Sequence, residues 1–166
     1  MNIKYRIGTL NDLSALKDLA IKAWSPFQKQ LTFENWKLLN RTISDGNTFR
    51  ELLDNSTCYV CVTEHDKIVG MAYLVPHGHP TEIYLKEWCY IRFVSVDPDY
   101  EGQGIGRKLT AICIDNAKKN GESVVALHTS EFMNNARHIY ESLGFKILKE
   151  ISPRLGKRYW LYLLNL

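Results

Sequence analysis

The sequence predicts one α/β domain of the α+β type, with a mixed, mainly antiparallel central sheet of about six to seven strands flanked by helices. Three observations carry this. Apolar runs rich in β formers come in adjacent pairs joined by short turns, at 57–64 with 68–75 and at 145–151 with 158–164, as hairpins do. Between and before them lie segments with apolar residues at helical spacing. One strand, helix, strand unit at 86–129 supplies a crossover, so the sheet is not purely antiparallel.

In chain order, residues 3–8 read as a strand, and Thr9 caps the following helix with Asp12 in its first turn. Leu13, Leu16, Ala20, Ala23 and Trp24 share one face of that helix, which Pro26 breaks. Residues 33–54 form one or two helices interrupted near Asp45-Gly46-Asn47. The hairpin 57–64 and 68–75 turns at His65-Asp66-Lys67, and Pro76 to Pro80 is a loop before a long strand at 86–96. Ile105, Leu109, Ile112 and Cys113 mark the next helix, and Gly121 stands where a left-handed C-terminal cap belongs. A strand at 124–129, a short helix at 134–142 ended by Gly144, and two closing strands complete the chain.

The 166 residues suit a single domain over 1–166, with no internal repeat or biased linker. The 21 basic and 18 acidic residues leave a net charge of only +3, which argues against nucleic-acid binding as the main activity. The first residues lack the apolar run of a signal peptide, and nowhere do eighteen apolar residues follow one another, so a cytoplasmic protein without membrane contact is expected. Cys58 and Cys61 sit three apart in a β-rich run; a strand sends them to opposite faces, so neither a disulfide nor a shared metal is expected. His77 and His79 lack a third ligand and read as surface residues, so no metal is expected.

The most informative stretch is Tyr90 to Leu109. An apolar strand ends at Val96, a Pro-containing turn follows, and Gly102, Gly104 and Gly106 lead into an amphipathic helix. Unpaired N–H groups at a helix start, with glycines that let an anion approach the backbone, make a phosphate cradle. The glycine spacing fits neither the dinucleotide fingerprint nor the nucleoside-triphosphate loop, which argues against NAD and ATP. After Val94-Ser95-Val96-Asp97-Pro98, the spacing Gly104-Ile105-Gly106-Arg107 instead resembles the acetyl-CoA loop of the GNAT superfamily of N-acetyltransferases. A second match lies in Ala136-Arg137-His138-Ile139-Tyr140-Glu141-Ser142-Leu143-Gly144-Phe145, which resembles that superfamily's helix carrying a tyrosine before a Gly-Phe turn. The segments 5–13 and 67–72 extend the likeness over nearly the whole chain.

The resemblance implies a GNAT-like fold, acetyl-CoA as co-substrate, and direct transfer to a primary amine in a ternary complex. The backbone of Val94, Ser95 and Val96 would pair with the pantetheine arm, and the loop Gly102, Gln103, Gly104, Ile105, Gly106 and Arg107 would hold the pyrophosphate. Tyr140 would be the general acid, since a phenol with a pKa near ~10 stays protonated at neutral pH. His128 occupies a position where relatives carry a basic glutamate and is the candidate general base; Glu87 is the reserve. Asn134 would contact pantetheine, displaced by one position because Met133 stands where the family places asparagine. Glu101 and Tyr90 also depart from the pattern.

The acceptor pocket is expected from the stretch between Trp24 and Asn55 and from the loop 76–86, with Trp24, Phe27, Phe33 and Trp36 as candidate walls. A small-molecule amine and a peptide or protein amine both remain open as acceptors. The rival reading is a noncatalytic acyl-CoA-binding or regulatory module. The apolar final strand YWLYLLNL is a candidate homodimer edge.

Overall fold

A computed structural model describes residues 2–166. β1 (Ile3–Ile7) ends at a reciprocal box: the Thr9 N–H donates to Asp12 Oδ2 at 2.8 Å and the Asp12 N–H to the Thr9 carbonyl at 2.9 Å. A short 3-10 turn then runs into α1 (Leu13–Trp24), and Pro26 turns the chain into a second 3-10 segment, Ser25–Gln30. In α2 (Phe33–Ser44) Thr32 Oγ1 accepts from the Asn35 N–H at 3.2 Å. The expected interruption falls at Asp45, whose carboxylate accepts from the Asn47 N–H at 3.0 Å and opens α3 (Gly46–Asn55).

β2 (Thr57–Thr63) and β3 (Ile68–Val75) form the expected hairpin. β4 (Cys89–Val96) starts three residues later than its apolar pattern, because Lys86 and Glu87 sit in a turn closed by the Trp88 N–H on the Leu85 carbonyl at 3.2 Å. α4 (Ile105–Lys119) follows the glycine loop and ends at Gly121, which adopts the expected left-handed conformation at φ 78°. β5 (Val124–Ser130), α5 (Asn134–Ser142), β6 (Lys146–Arg154) and β7 (Lys157–Asn165) complete the fold.

The seven strands form one sheet in the order β1-β2-β3-β4-β5-β7-β6, with β4 and β5 as the parallel pair. The final strand is therefore interior, paired to β5 and β6 on its two sides, and offers no free edge for a dimer. α1, α2 and α3 cover one face, where Leu16, Leu19, Ile43 and Phe49 meet Cys58, Val60, Met71 and Tyr73. α4 and α5 cover the other, where Leu109, Cys113 and Tyr140 meet Cys61, Val69 and Leu127. Cys58 and Cys61 thus point to opposite faces, and all four cysteines are buried and free. Gly70 allows α4 to lie close to the sheet: a Cβ there would stand 2.6 Å from Ile105 Cγ2.

One irregularity positions the site. β4 and β5 are in register only at Cys89 with Val125 and Tyr90 with Ala126, beyond which they part. The outgoing half of β4 therefore has a gap on its β5 side.

Candidate active site

The β3–β4 register slips between the Met71–Ser95 and Tyr73–Arg92 pairs, so Phe93 and Val94 bulge, with Phe93 at φ 51°. At the end of β4 the Asp97 carboxylate, 1% exposed, accepts from the Asp99 N–H at 3.0 Å and pairs with Lys22 at 2.8 Å and Lys67 at 3.0 Å. These contacts tie the turn after β4 to α1 and to the β2–β3 hairpin. Burial alone would raise the Asp97 pKa, but the hydrogen bonds from Lys22, Lys67 and the Asp99 amide outweigh it and hold the carboxyl below its usual range.

Gly102 and Gly104 have φ near 75° and 76°, and no atom lies within 4 Å of where a Cβ would stand on either. Both need glycine for the backbone conformation, and both leave open space over it. The first bond of α4 runs from the Lys108 N–H to the Gly104 carbonyl at 2.9 Å, so the N–H groups of Ile105, Gly106 and Arg107 lack intrahelical partners. An anion-binding nest results, suited to a pyrophosphate. It floors a groove of about 980 Å³ lined by Val94, Ser95, Val96, Gly102, Gly104, Ile105, Gly106 and Arg107, with Asn134 and Tyr140 on the opposite wall. Gln103, expected among them, is exposed on the loop and does not line the groove.

Arg107 reaches the groove, but its guanidinium donates to Ser142 Oγ, tying α4 to α5. Asn134 is exposed at the first position of α5; neither it nor Asn135 caps that helix, whose N-cap is Met133, without a side-chain cap. Thr129 Oγ1 donates to the Met133 sulfur at 3.5 Å.

A second cavity, about 880 Å³, lies across the gap between β4 and β5. α2 contributes Leu38, Leu39 and Thr42, the loop before β4 contributes Glu82 and Ile83, and the β6–β7 turn contributes Arg154 and Leu155. The expected acceptor segments therefore supply part of the wall; β4, β5, α5, the outer half of β6 and the β6–β7 turn, none with a local signal for this role, supply the rest. Trp24 lines both cavities and Phe27 the groove, whereas Phe33 is exposed and Trp36 packs against the core under α1–α3.

His128 lines this second cavity. Its Nδ1 is 2.5 Å from the hydroxyl of Tyr84, a buried residue whose ring stacks on Tyr90 at 4.1 Å and 13°. Burial, and then the positive fields of Arg154 and Arg92, lower the His128 pKa from 6.5 to about 3, so the imidazole is neutral at physiological pH. Glu87 is exposed and lines neither cavity, and Tyr90 spends its hydroxyl on the His79 carbonyl at 3.0 Å. His77 and His79 are exposed as expected, and no cluster of metal-ligating side chains occurs among the described residues. Tyr140 is buried against Phe145, ring centroids 6.0 Å apart, and burial raises its pKa above that of an ordinary phenol. It lines the glycine groove and the second cavity alike.

The acetyltransferase (GNAT) family profile matches residues 14–145, most of the chain and both glycine-bearing motifs. The chain belongs to the GNAT acetyltransferase family. Human N-acetyltransferase 8B is 32% identical over 141 residues, covering 84% of this chain and 57% of that protein. The L-amino acid N-acyltransferase MnaT of Escherichia coli K12 is 35% identical over 70 residues, 41% of this chain and 40% of that protein. The chain thus spans about half the length of these curated relatives. Among solved structures, PaiA N-acetyltransferase from Thermoplasma acidophilum, in complex with coenzyme A, shares the fold with a TM-score of 0.78 at 15% identity, covering 97% of this chain and 98% of that one. The Escherichia coli ribosomal-protein-S18-alanine N-acetyltransferase shares it with a TM-score of 0.74 at 19% identity, covering 99% and 94%. No described helix is long and apolar enough to cross a membrane.

Proposed function

We propose that this GNAT protein transfers an acetyl group from acetyl-CoA directly to a primary amine, with the glycine groove holding the donor and the second cavity holding the acceptor. The observation that carries the reading is the place of Tyr140, whose side chain borders both cavities. Similar proteins are named as acting on L-amino acids and on a ribosomal protein, which supports an amine as acceptor.

In this reaction the amine attacks the thioester carbonyl, a C–N bond forms, the C–S bond breaks, and coenzyme A leaves as a thiolate. Tyr140 donates its hydroxyl proton to that sulfur, for which a phenol kept protonated by burial is suited. His128 takes the amine proton at Nε2, directly or through one water, in the tautomer whose Nδ1–H donates to the Tyr84 oxygen and leaves the Nε2 lone pair free. Its depressed pKa keeps it ready to accept but gives it little basicity, so the acceptor reacts from its free-amine fraction. Val94 to Val96 pair their backbone with pantetheine, Gly102 to Arg107 hold the pyrophosphate, with Gln103 contributing only its backbone, and Asn134 borders the pantetheine channel.

The test is steady-state thiol release with an amine panel. Tyr140→Phe is expected to lower kcat by about 100-fold or more while leaving acetyl-CoA affinity unchanged. His128→Ala should cost less, and kcat/KM should rise with pH to the pKa of the acceptor amine without a step near 6.5. Equal rates in Tyr140→Phe and wild type would remove the acid role. Saturable acetyl-CoA binding with no turnover on any amine would favour the acyl-CoA-binding module instead.

A further inference from the structure

We propose that the second cavity selects an acceptor that carries a carboxylate, a small amine of amino-acid type, and that Arg92 is the residue that holds this carboxylate. The inference deepens the proposed function and rests on it for the reacting amine. Arg92 lines the cavity, is half-buried, and keeps its guanidinium 5.0 Å from the Phe93 ring centroid. Among the described residues no carboxylate pairs with it. Its neighbours differ: Arg154 is matched by Glu82 at 2.5 Å, and Glu150 on the same wall is already matched by Arg158 at 2.8 Å. Lys149, which also lines the cavity, is exposed on the β6 edge, unlike the half-buried Arg92. A partly desolvated guanidinium without a counter-ion is costly, and a bound anion offsets that cost.

Register places the group where it matters. Tyr90 and Ala126 are partners across the one paired stretch of β4 and β5, and they pack in the same cluster. Two residues on along each strand, on that same face, stand Arg92 and His128, facing one another across the gap. The fields of Arg92 and Arg154 on His128 are consistent with that proximity. With Arg154 matched by Glu82, the unmatched guanidinium of Arg92 beside the amine position disfavours a polyamine, whose further ammonium groups it would repel. It favours an acceptor that brings its own negative charge.

The size of the acceptor follows from the β6–β7 turn. Leu155, at φ 54°, packs into the cluster under α1–α3. A Cβ on Gly156 would stand 2.8 Å from Asn35 Nδ2 of α2, so the tip of the hairpin rests directly on that helix. With its tip on α2 and Arg154 and Leu155 on the cavity wall, the turn narrows that side of the cavity, which favours a small acceptor over a polypeptide.

Binding tests this without turnover. The full chain is titrated calorimetrically with N-acetyl-L-amino acids, which are the products, and with the matching N-acetyl amides. The carboxylates should bind about 30-fold or more tightly than the amides, Arg92→Gln should erase the difference, and Arg92→Lys should keep part of it. Arg92 makes no ion pair, so both variants should melt near wild type. Equal binding of acids and amides, an unchanged preference in Arg92→Gln, or no binding across the panel would each overturn the proposal. Thiol release with free amino acids, amino-acid amides and short peptides separates the two readings. Turnover without carboxylate preference sinks this inference alone, and carboxylate-selective binding without turnover sinks the transferase reading alone.

Discussion

The two cavities that meet at Tyr140 are built from different materials. The floor of the glycine groove is mostly backbone: a bulged strand end, two left-handed glycines and the first turn of one helix, within residues 93–107. The second cavity is mostly side chains, drawn from α2, the loop before β4, β5, β6 and the β6–β7 turn. Backbone recognition requires particular residue types at fixed local spacing, whereas side-chain recognition requires only that distant segments converge. One half should therefore be fragile to single conformational changes, and the other tunable residue by residue.

The strongest way to break this contrast is Gly104→Val. At φ 76° a β-branched residue is strained by roughly 1–3 kcal/mol, and its side chain would fill the open side of the nest. Acetyl-CoA affinity should fall by about 100-fold or more in calorimetry, the scale of losing two charge-assisted hydrogen bonds. The binding of acetylated amino acids to the other cavity should persist. If Gly104→Val leaves acetyl-CoA binding intact, the groove is not held by backbone and the contrast fails.

Asp97→Asn sharpens the comparison by testing what fixes the groove to the rest of the fold. Removing the charge that Lys22 and Lys67 share should cost about 1–3 kcal/mol at pH 7, read by urea unfolding. The folded pKa lies below the ordinary value of 3.8, so wild type holds this stabilisation above about pH 4. It loses it as the pH falls through the folded value, because the folded state must then take up the proton. The stability curves of wild type and variant should therefore converge on the acid side. A constant gap down to pH 2 would mean that the carboxylate charge is not what stabilises the turn.

The same division decides what could be read from the sequence. The seven strands among the described residues follow from apolar periodicity and turn residues, as do the helices, with the stretch 33–54, readable as one or two helices, dividing at Asp45, and the cradle follows from Gly102, Gly104 and Gly106. β4 starts later than its pattern because Lys86-Glu87-Trp88 continues a β-compatible alternation that a turn interrupts. The final strand is interior, not an edge, and sequence order does not reveal that β6 folds outside β7. Tyr84, Arg92 and Arg154 share one property: none has a local signature. Tyr84 matters only because stacking on Tyr90 brings its hydroxyl to His128, 44 residues away in sequence. Arg92 stands out because no carboxylate among the described residues pairs with it, and a missing partner is a property of the assembled cavity.

The smallest expected effect concerns the one departure from the family pattern inside the groove's own loop. Glu101 closes the 3-10 turn after Asp97, its N–H donating to the Pro98 carbonyl at 3.4 Å, and it lines the groove while remaining exposed. An exposed carboxylate near a pyrophosphate repels it through solvent, which limits the interaction to a few tenths of a kcal/mol up to about 1 kcal/mol. Glu101→Gln should therefore tighten acetyl-CoA binding only about 2- to 5-fold, with no change in the unfolding midpoint, and the gain should shrink in high salt. A gain that persists in high salt would mean the side chain obstructs the groove by its shape. No gain at all would mean that it points into solvent and that the backbone nest alone sets the affinity, the outcome that would separate the two cavities most sharply.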